Sequence, residues 1–155
     1  MTLKFEENTG TEFGLDVGIC CFSERENLLH FAGAKMNLYY KMANNVFELK
    51  GSKKSLGYVT KPHPQSFDVH EVSFVDKPTF YMFSDGLTDQ IGGPKKIMYG
   101  KKKIIRKINE TDSLDLTIQN ISQDFEQYQG DNKRRYDISL FGFQINNNMK
   151  TASVE

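Results

Sequence analysis

Apolar and polar residues alternate along several short stretches in the first part of the chain. Alternation with a period of two is typical of strands that are covered on one face. The alternation is clearest at residues 15–22 and 67–74, and shorter strand-like stretches that are rich in apolar residues lie at 28–34, 38–42, 46–49 and 79–84. A short polar turn joins the first two stretches, and Asn44-Asn45, residue types that tolerate positive φ, join the next two. The pattern therefore predicts six strands, of which the first four form two hairpins.

The period changes after a bend at Gly92-Gly93-Pro94. Residues 104–108 suit a short helix, and a longer stripe of apolar residues recurs at spacings of three and four, as one face of a helix requires. That stripe comprises Leu114, Ile118, Ile121, Phe125 and Tyr128. Ser113 is placed to cap this helix and Gly130 to end it. With an apolar final strand at 138–145, the chain is predicted to be α+β, with helices on one face of antiparallel sheet.

The composition describes a single domain. The chain has 155 residues, of which 38% are hydrophobic and 26% charged, and these values suit one ordinary core. Residues 14–145 form the expected domain, residues 1–13 a loose lead-in and residues 146–155 a flexible tail. Twenty basic and twenty acidic residues balance, so no overall field favours nucleic acid or an anionic membrane. The basic clusters at 95–96, 101–103 and 133–135 are interpreted as solvated surface.

The two cysteines, Cys20 and Cys21, are adjacent in an apolar stretch. Neighbours on a strand point to opposite faces, so the two side chains cannot easily pair or share a metal. We interpret them as buried small hydrophobic residues in a reducing compartment. The sequence shows no signal peptide and no apolar run long enough to span a membrane. These features predict a cytoplasmic protein.

Residues 80–93 (FYMFSDGLTDQIGG) carry the clearest chemical signal. Apolar and aromatic residues run directly into Asp85, so a buried strand is expected to end beside this carboxylate. Gly86 follows, and it is expected to allow a sharp turn and the close approach of a ligand. A strand-end carboxylate suits a hard cation such as Mg²⁺ or Mn²⁺. The alternative is a plain strand followed by an Asp-Gly turn.

Residues 83–90 (FSDGLTDQ) and 92–94 (GGP) resemble the strand-end aspartate motif of the metal-dependent serine/threonine protein phosphatases. The resemblance is to the bacterial SpoIIE-like branch, with its phosphatase-2C-type fold. Further matching segments follow in the family's order, namely residues 14–20 (GLDVGIC), 31–39 (FAGAKMNLY), 54–57 (KSLG), 129–131 (QGD) and 137–143 (DISLFGF). The resemblance implies part of an αββα sandwich, with residues 14–145 as its C-terminal portion and the front segment missing.

The resemblance also implies a metal site. Asp85 matches a metal ligand, with the backbone of Gly86 beside it, and Asp89 is expected to orient the water shell of the cation. Asp89 as an ordinary surface acid is the alternative. Asp137 is a candidate further ligand. Tyr136 stands where the family has an acidic ligand, and a phenol that stays protonated near neutral pH binds Mg²⁺ poorly. The family's first metal motif, GD-x-x-G-x-G, does not occur in the sequence.

Three functional hypotheses remain open. The first is a Mg²⁺- or Mn²⁺-dependent phosphoserine/phosphothreonine phosphatase domain of bacterial signalling, inactive as this isolated chain and with no catalytic side chain assigned. The second is a pseudophosphatase that binds a regulator protein, and the third is a small ligand-binding sandwich. Expected partners are a phosphoprotein or regulator and a second copy of the chain, with no nucleic acid. The dimer is expected because the strands carry more apolar surface than one layer of helices can cover. The residues that supply this surface are Leu15, Val17, Ile19, Phe141, Phe143 and Ile145.

Overall fold

A computed structural model describes residues 14–57 and 66–145. Its strands are β1 Val17–Ser23, β2 Leu28–Ala34, β3 Leu38–Met42, β4 Asn45–Leu49, β5 His70–Ser73, β6 Thr79–Phe83, β7 Ile91–Gly92, β8 Ile97–Met98 and β9 Leu140–Gln144. Its helices are α1 Asp85–Asp89, α2 Lys101–Glu110 and α3 Leu114–Gln129. The predicted lead-in, the predicted tail and residues 58–65 lie outside the described residues.

The larger strands form two sheets that pack face to face. One sheet has the order β1-β2-β5 and the other β4-β3-β6-β9, with antiparallel pairing throughout. Fully buried Leu29 and Phe31 of the first sheet share a cluster with Leu38 and Phe80 of the second. The rings of Phe80 and Phe143 stack within this layer at 5.1 Å between centroids. The predicted α+β arrangement with an antiparallel sandwich is confirmed.

Helices α2 and α3 cover the other face of the four-stranded sheet. Tyr39 and Tyr81 project from that sheet into a second buried cluster, which contains Ile104, Ile108, Ile121 and Phe125 of the helices. The predicted limits of the long helix are confirmed, because Ser113 caps it and Gly130 ends it with a φ of 48°. The layers are therefore the three-stranded sheet, the four-stranded sheet and the helices.

The outer face of the three-stranded sheet is less well covered. A Cβ atom built on Gly18 would contact Met36 and Phe31, and Cys20 packs partly into the layer between the sheets. Ile19 and Cys21 therefore point to the opposite face, where Ile19 is 58% exposed and Cys21 is also exposed. The prediction that both cysteines are buried is wrong for Cys21. Burial raises the pKa of the Cys20 thiol to about 11.

Several predicted boundaries differ from the structure. The strand predicted at 67–74 is shortened to β5, and Val69 before it is 62% exposed. In the second hairpin the residue with positive φ is Ala43, at 52°, while Asn45 already belongs to β4. The paired strands β7 and β8 were not predicted, because two residues per strand are too few to show a period.

The predicted placement of Asp85 at a strand end needs correction. Strand β6 ends at Phe83, Ser84 is extended, and Asp85 is the first residue of α1. Gly86 lies inside this short helix and is not among the residues with positive φ, so the predicted sharp Asp-Gly turn is wrong. A carboxylate in the first turn of a helix is stabilised by the exposed N–H groups there, which favours this helical start.

Candidate functional site

Asp85 lines an open cavity of about 250 Å³, here called the Asp85 pocket. The pocket is formed where β6 gives way to α1, beside the start of β3 and the start of α2. Its lining residues are Lys35, Asn37, Tyr39, Phe83, Ser84, Asp85, Thr88 and Lys101. The Asp85 carboxylate is exposed, so it is accessible to a ligand from solvent.

Ser84 ties the residues before β9 to the end of β6. Its amide donates to the carbonyl of Ser139 at 3.0 Å, and its hydroxyl donates to the carbonyl of Asp137 at 3.1 Å. The amide of Ser139 donates back to the Ser84 hydroxyl at 3.0 Å. Residues 137–139 are therefore fixed beside the N-terminus of α1.

Gly86 allows helix α1 to lie directly against the backbone of residues 136–137. A Cβ atom built on Gly86 would overlap the carbonyl oxygen of Asp137 and would lie 3.2 Å from Cβ of Tyr136. Only glycine fits between α1 and this backbone. The structure thus brings together the segments of four predicted site residues, Asp85, Gly86, Tyr136 and Asp137. Their roles in metal binding remain predictions.

Tyr136 is a surface residue at this site. It is 54% exposed, and the guanidinium of Arg135 lies 5.9 Å from the centre of its ring. Asp137 beside it is also exposed. Asp89 lies one helical turn after Asp85, and one of its carboxylate oxygens accepts a hydrogen bond from Thr88 at 3.0 Å. Its predicted role in orienting a water shell stays a prediction.

The donor set fits one hydrated cation better than two. Within residues 14–57 and 66–145, no group of three or more His, Cys, Asp or Glu side chains could hold a metal. Mg²⁺ commonly keeps several waters and takes one or two protein carboxylates, and Asp85 is the carboxylate that lines the pocket.

A glutamate that sequence reasoning missed organises one wall of the pocket. The ammonium of Lys101 donates to both carboxylate oxygens of Glu48 at 2.9 Å. The Tyr39 hydroxyl and the Asn37 amide donate to one of the same oxygens at 2.8 and 2.9 Å. Glu48 and Lys101 are 53 positions apart, so no local pattern could have indicated this cluster.

The hydrogen bonds of this cluster set its ionisation. Partial burial alone would raise the pKa of the Glu48 carboxyl, but the bonds from Lys101, Tyr39 and Asn37 hold that pKa below its usual value of 4.5. Burial, reinforced by the neighbouring carboxylate, raises the pKa of the Tyr39 hydroxyl. At neutral pH the wall therefore presents an ionised carboxylate at Glu48 and a neutral phenol at Tyr39.

Lys35 gives the pocket a second cation. It has a φ of 51° between β2 and β3, and its amide donates to the Ser52 carbonyl at 2.7 Å. The side chain lines the pocket and is exposed, with no ion-pair partner among the described residues. The ammonium groups of Lys35 and Lys101 give the pocket positive charge close to Asp85. Such a site suits an anionic ligand that contacts these ammonium groups and also a cation held by Asp85.

The comparisons with known proteins agree with this architecture. The profile of the family Stage II sporulation protein E (SpoIIE) matches residues 3–146. No protein of curated function matches the chain. The SiaA-PP2C domain of Pseudomonas aeruginosa is 28% identical, with a TM-score of 0.73 over 84% of this chain and 51% of that one.

Two further solved structures share the fold at low identity. The phosphatase domain of the cell fate determinant SpoIIE from Bacillus subtilis, presoaked with Mn, is 12% identical with a TM-score of 0.59, covering 86% of this chain and 57% of that one. RsbX in complex with magnesium is 14% identical with a TM-score of 0.56, covering 84% and 56%. The chain thus spans about half of the structures it matches. None of the described helices is both long and apolar enough to cross a membrane.

Proposed function

Because this chain belongs to the Stage II sporulation protein E (SpoIIE) family, we propose that it serves as a metal-dependent phosphoserine/phosphothreonine phosphatase domain in bacterial signalling. The similarity to PP2C-type domains makes it a phosphatase-like domain. One observation carries the proposal for this chain: the close approach at Gly86 draws the segment of Asp137 against the residue that follows Asp85. In this proposal the side chains of Asp85 and Asp137 act together as an acid pair for a hard cation.

In this proposal each residue of the pocket has a defined task. Asp85 and Asp137 hold Mg²⁺ or Mn²⁺, and the ammonium groups of Lys35 and Lys101 neutralise the phosphoryl oxygens of the substrate. Glu48 holds Lys101 in place. A bound cation supplies charge neutralisation and a water of lowered pKa for attack on phosphorus. No side chain of the protein becomes covalently linked to the substrate.

We further propose that this chain alone hydrolyses phosphopeptides negligibly. The sequence contains no GD-x-x-G-x-G motif, and Tyr136 replaces an acid that the resemblance implies. The phenol of a tyrosine does not replace the charge of a carboxylate. A pseudophosphatase that binds a regulator protein is the second candidate function, and the exposed ring of Tyr136 beside the acid pair favours it.

Calorimetric titration with Mn²⁺ tests the metal site. We expect weak binding that is lost in Asp85→Asn and retained in Asp115→Asn. Asp115 is a matched control because it is also an acid in the first turn of a helix, and it is exposed. Tight, micromolar binding that survives Asp85→Asn would place the site elsewhere.

Hydrolysis of a phosphothreonine peptide in Mn²⁺ separates the two candidate functions. The isolated chain should show no turnover, and Tyr136→Asp should not restore it, because the first metal motif is still absent. Turnover that Asp85→Asn abolishes would contradict the proposed inactivity and support a complete enzyme. Binding of the peptide without turnover supports the pseudophosphatase.

Two further properties belong to this proposal. We place the protein in the cytoplasm, where its free thiols Cys20 and Cys21 would stay reduced. We also propose a homodimer, formed through the partly covered face that carries Ile19. The formal net charge of zero leaves little electrostatic repulsion between two copies.

A further inference from the structure

Two basic clusters that are close in the sequence, 95–96 and 101–103, are linked to a third, 133–135, through contacts of Tyr128 and Gln90. Residues 90–109 contain seven lysines and arginines and no acid. The ring of Tyr128 lies 3.4 Å from the ammonium of Lys103, and its hydroxyl donates to the carbonyl of Ile97 at 2.9 Å. The side-chain amide of Gln90 donates to the carbonyl of Lys133 at 3.1 Å. The exposed sides of residues 95–98, 101–103 and 133–135 are here called the basic surface.

Several cations on the basic surface form no ion pair within the part of the chain that the structure describes. Lys101 pairs with Glu48, and Lys107 pairs with Glu110 and Asp124. Lys95, Lys96 and Lys102 are exposed and form no ion pair with any described residue. Asp131 is the one acid in the loop 130–135. In a chain of zero net charge, this is a local excess of positive charge.

Apolar side chains lie among these cations. Ile97 and Met98 form β8 and are 56% and 54% exposed. Their backbone is held in place, since Ile97 and Met98 pair with Gly92 and Ile91 of β7. Methionine adapts its shape to varied partners. The surface therefore combines unpaired positive charge with two apolar contacts on a fixed hairpin.

The basic surface continues into the Asp85 pocket. The amide of Gly100 donates to the carbonyl of Thr88 at 2.9 Å, and Lys101, next in sequence, lines the pocket. A polypeptide held on the basic surface would thus have its neighbouring residues at the pocket mouth. Complementary charge between such a polypeptide and the basic surface would raise the association rate and favour acidic partners over others.

We propose that the basic surface docks an acidic polypeptide segment that carries apolar side chains, contributed by the protein on which the Asp85 pocket acts. The proposal rests on the proposed function. Carboxylates of the segment contact Lys95, Lys96 and Lys102, and its apolar side chains cover Ile97 and Met98. The exposed side chains among Lys95, Lys96 and Lys102 are aliphatic Ile97 and Met98, which favours apolar side chains of a polypeptide over stacked bases at this point.

Fluorescence anisotropy with a labelled peptide of repeated Glu-Glu-Leu units tests the docking surface at low ionic strength. We expect Lys95→Glu/Lys96→Glu to weaken binding about tenfold, because each change replaces an attraction by a repulsion. The matched control is Arg25→Glu/Lys77→Glu, exposed residues in the turns at the other end of the strands. Both pairs include a residue with positive φ, Lys96 at 48° and Lys77 at 49°.

Further measurements identify the occupant. Ile97→Ser/Met98→Ser should weaken binding of the Glu-Glu-Leu peptide and leave a Glu-Glu-Ser peptide unaffected. The proposal is overturned if both charge-reversal pairs weaken binding equally, if the acidic peptide does not bind, or if a single-stranded oligonucleotide binds more tightly.

Two measurements test the docking surface and the proposed metal site independently of each other. Asp85→Asn should leave the peptide affinity unchanged while it removes Mn²⁺ binding. Loss of Mn²⁺ binding in Asp85→Asn, with no effect of Lys95→Glu/Lys96→Glu on the peptide, retains the proposed function and rejects the docking surface. The opposite pattern retains the docking surface and rejects the metal site.

Discussion

At the scale of single residues, Gly86 and Glu48 have the strongest local constraints near Asp85. Gly86 has backbone of another segment where its side chain would be. Glu48 accepts from three different side chains. Neither side chain is a proposed ligand, yet Gly86 determines where the segment of Asp137 lies and Glu48 determines where the ammonium of Lys101 lies. Substitutions at these two positions therefore report on the geometry of the pocket.

We predict that Gly86→Ala destabilises the fold by about 1–3 kcal/mol. Alanine is the better helix former by up to about 1 kcal/mol, but its Cβ overlaps the Asp137 carbonyl, and a backbone shift outweighs that gain. Chemical denaturation measures the change. The control Asp89→Ala in the same helix should alter stability by less than about 0.5 kcal/mol. A Gly86→Ala protein as stable as wild type would show that α1 and residues 136–137 do not pack closely.

We predict that Glu48→Gln lowers stability at pH 7 by about 1.5 kcal/mol, the order expected for hydrogen bonds to a charged group. The pKa of Glu48 in the folded protein is lower than its usual 4.5, so its stabilising effect is complete above that pH. The effect is lost as the pH falls through the folded-state pKa. Denaturation of both proteins from pH 7 to pH 3 should show their difference shrinking below about pH 4.5. A difference that grows on acidification would contradict this assignment.

At the scale of elements, the two main helices begin in opposite ways. Helix α3 has Ser113 as its N-cap and Asp115 in its first turn, both favourable at a helix N-terminus. Helix α2 begins with three lysines, and Gly100 before it makes no side-chain cap. Cations at that end are unfavourable by roughly 0.3–1 kcal/mol each. The packing of Ile104 and Ile108 therefore stabilises α2 against its own N-terminal charges.

We predict that Ser113→Ala destabilises the protein by about 0.5–1 kcal/mol. The Ser113 hydroxyl accepts from the Leu116 amide at 3.4 Å, a long bond that places the effect at the lower end of measured cap losses. Thermal unfolding checks the change, and Ser113→Asp should retain the stability. Ser122→Ala is the control, because Ser122 is an exposed mid-helix residue bonded to the Ile118 carbonyl. Equal losses in the two alanine variants would mean that Ser113 does not cap α3.

The strands and helices with a regular hydrophobic repeat could be predicted from the sequence. The contacts between residues that are distant in the sequence could not. Strand β2 spans the predicted residues 28–34, and α3 begins and ends at the predicted cap residues, because one buried face imposes a regular repeat. Helix α1 was missed, since five residues show barely one turn. At the site, Asp85 and Asp137 were named from motif resemblance, whereas Glu48 depends on contacts between distant elements.

At the scale of the whole molecule, the layers are unequally covered. Helices α2 and α3 bury one face of the four-stranded sheet, while Leu15 and Ile19 near the outer face of the other sheet are 59% and 58% exposed. Strand β1 lies at the edge of its sheet and contains no charged residue or proline, the usual protections of an edge. Apolar area left in water is unfavourable by roughly 25 cal/mol per Å².

We predict that the protein forms a dimer in a concentration-dependent manner and that Ile19→Lys shifts it to monomer. A charge on this face would have to be desolvated when two copies pack together. Light scattering coupled to size-exclusion chromatography measures the mass. Val75→Lys is the control, because Val75 is an equally exposed apolar residue between β5 and β6. A wild-type protein that stays monomeric at high concentration would contradict the dimer.

The bonds between Ser84 and residues 137–139 also bear on the order of folding. They join positions 53 and 55 residues apart, and such non-local contacts form late because a long loop must first close. As the chain emerges from the ribosome, β6 and α1 can fold before β9 has been synthesised. Asp85 is therefore expected to remain apart from Asp137 during that interval, and the acid pair would be assembled only when the last strand docks.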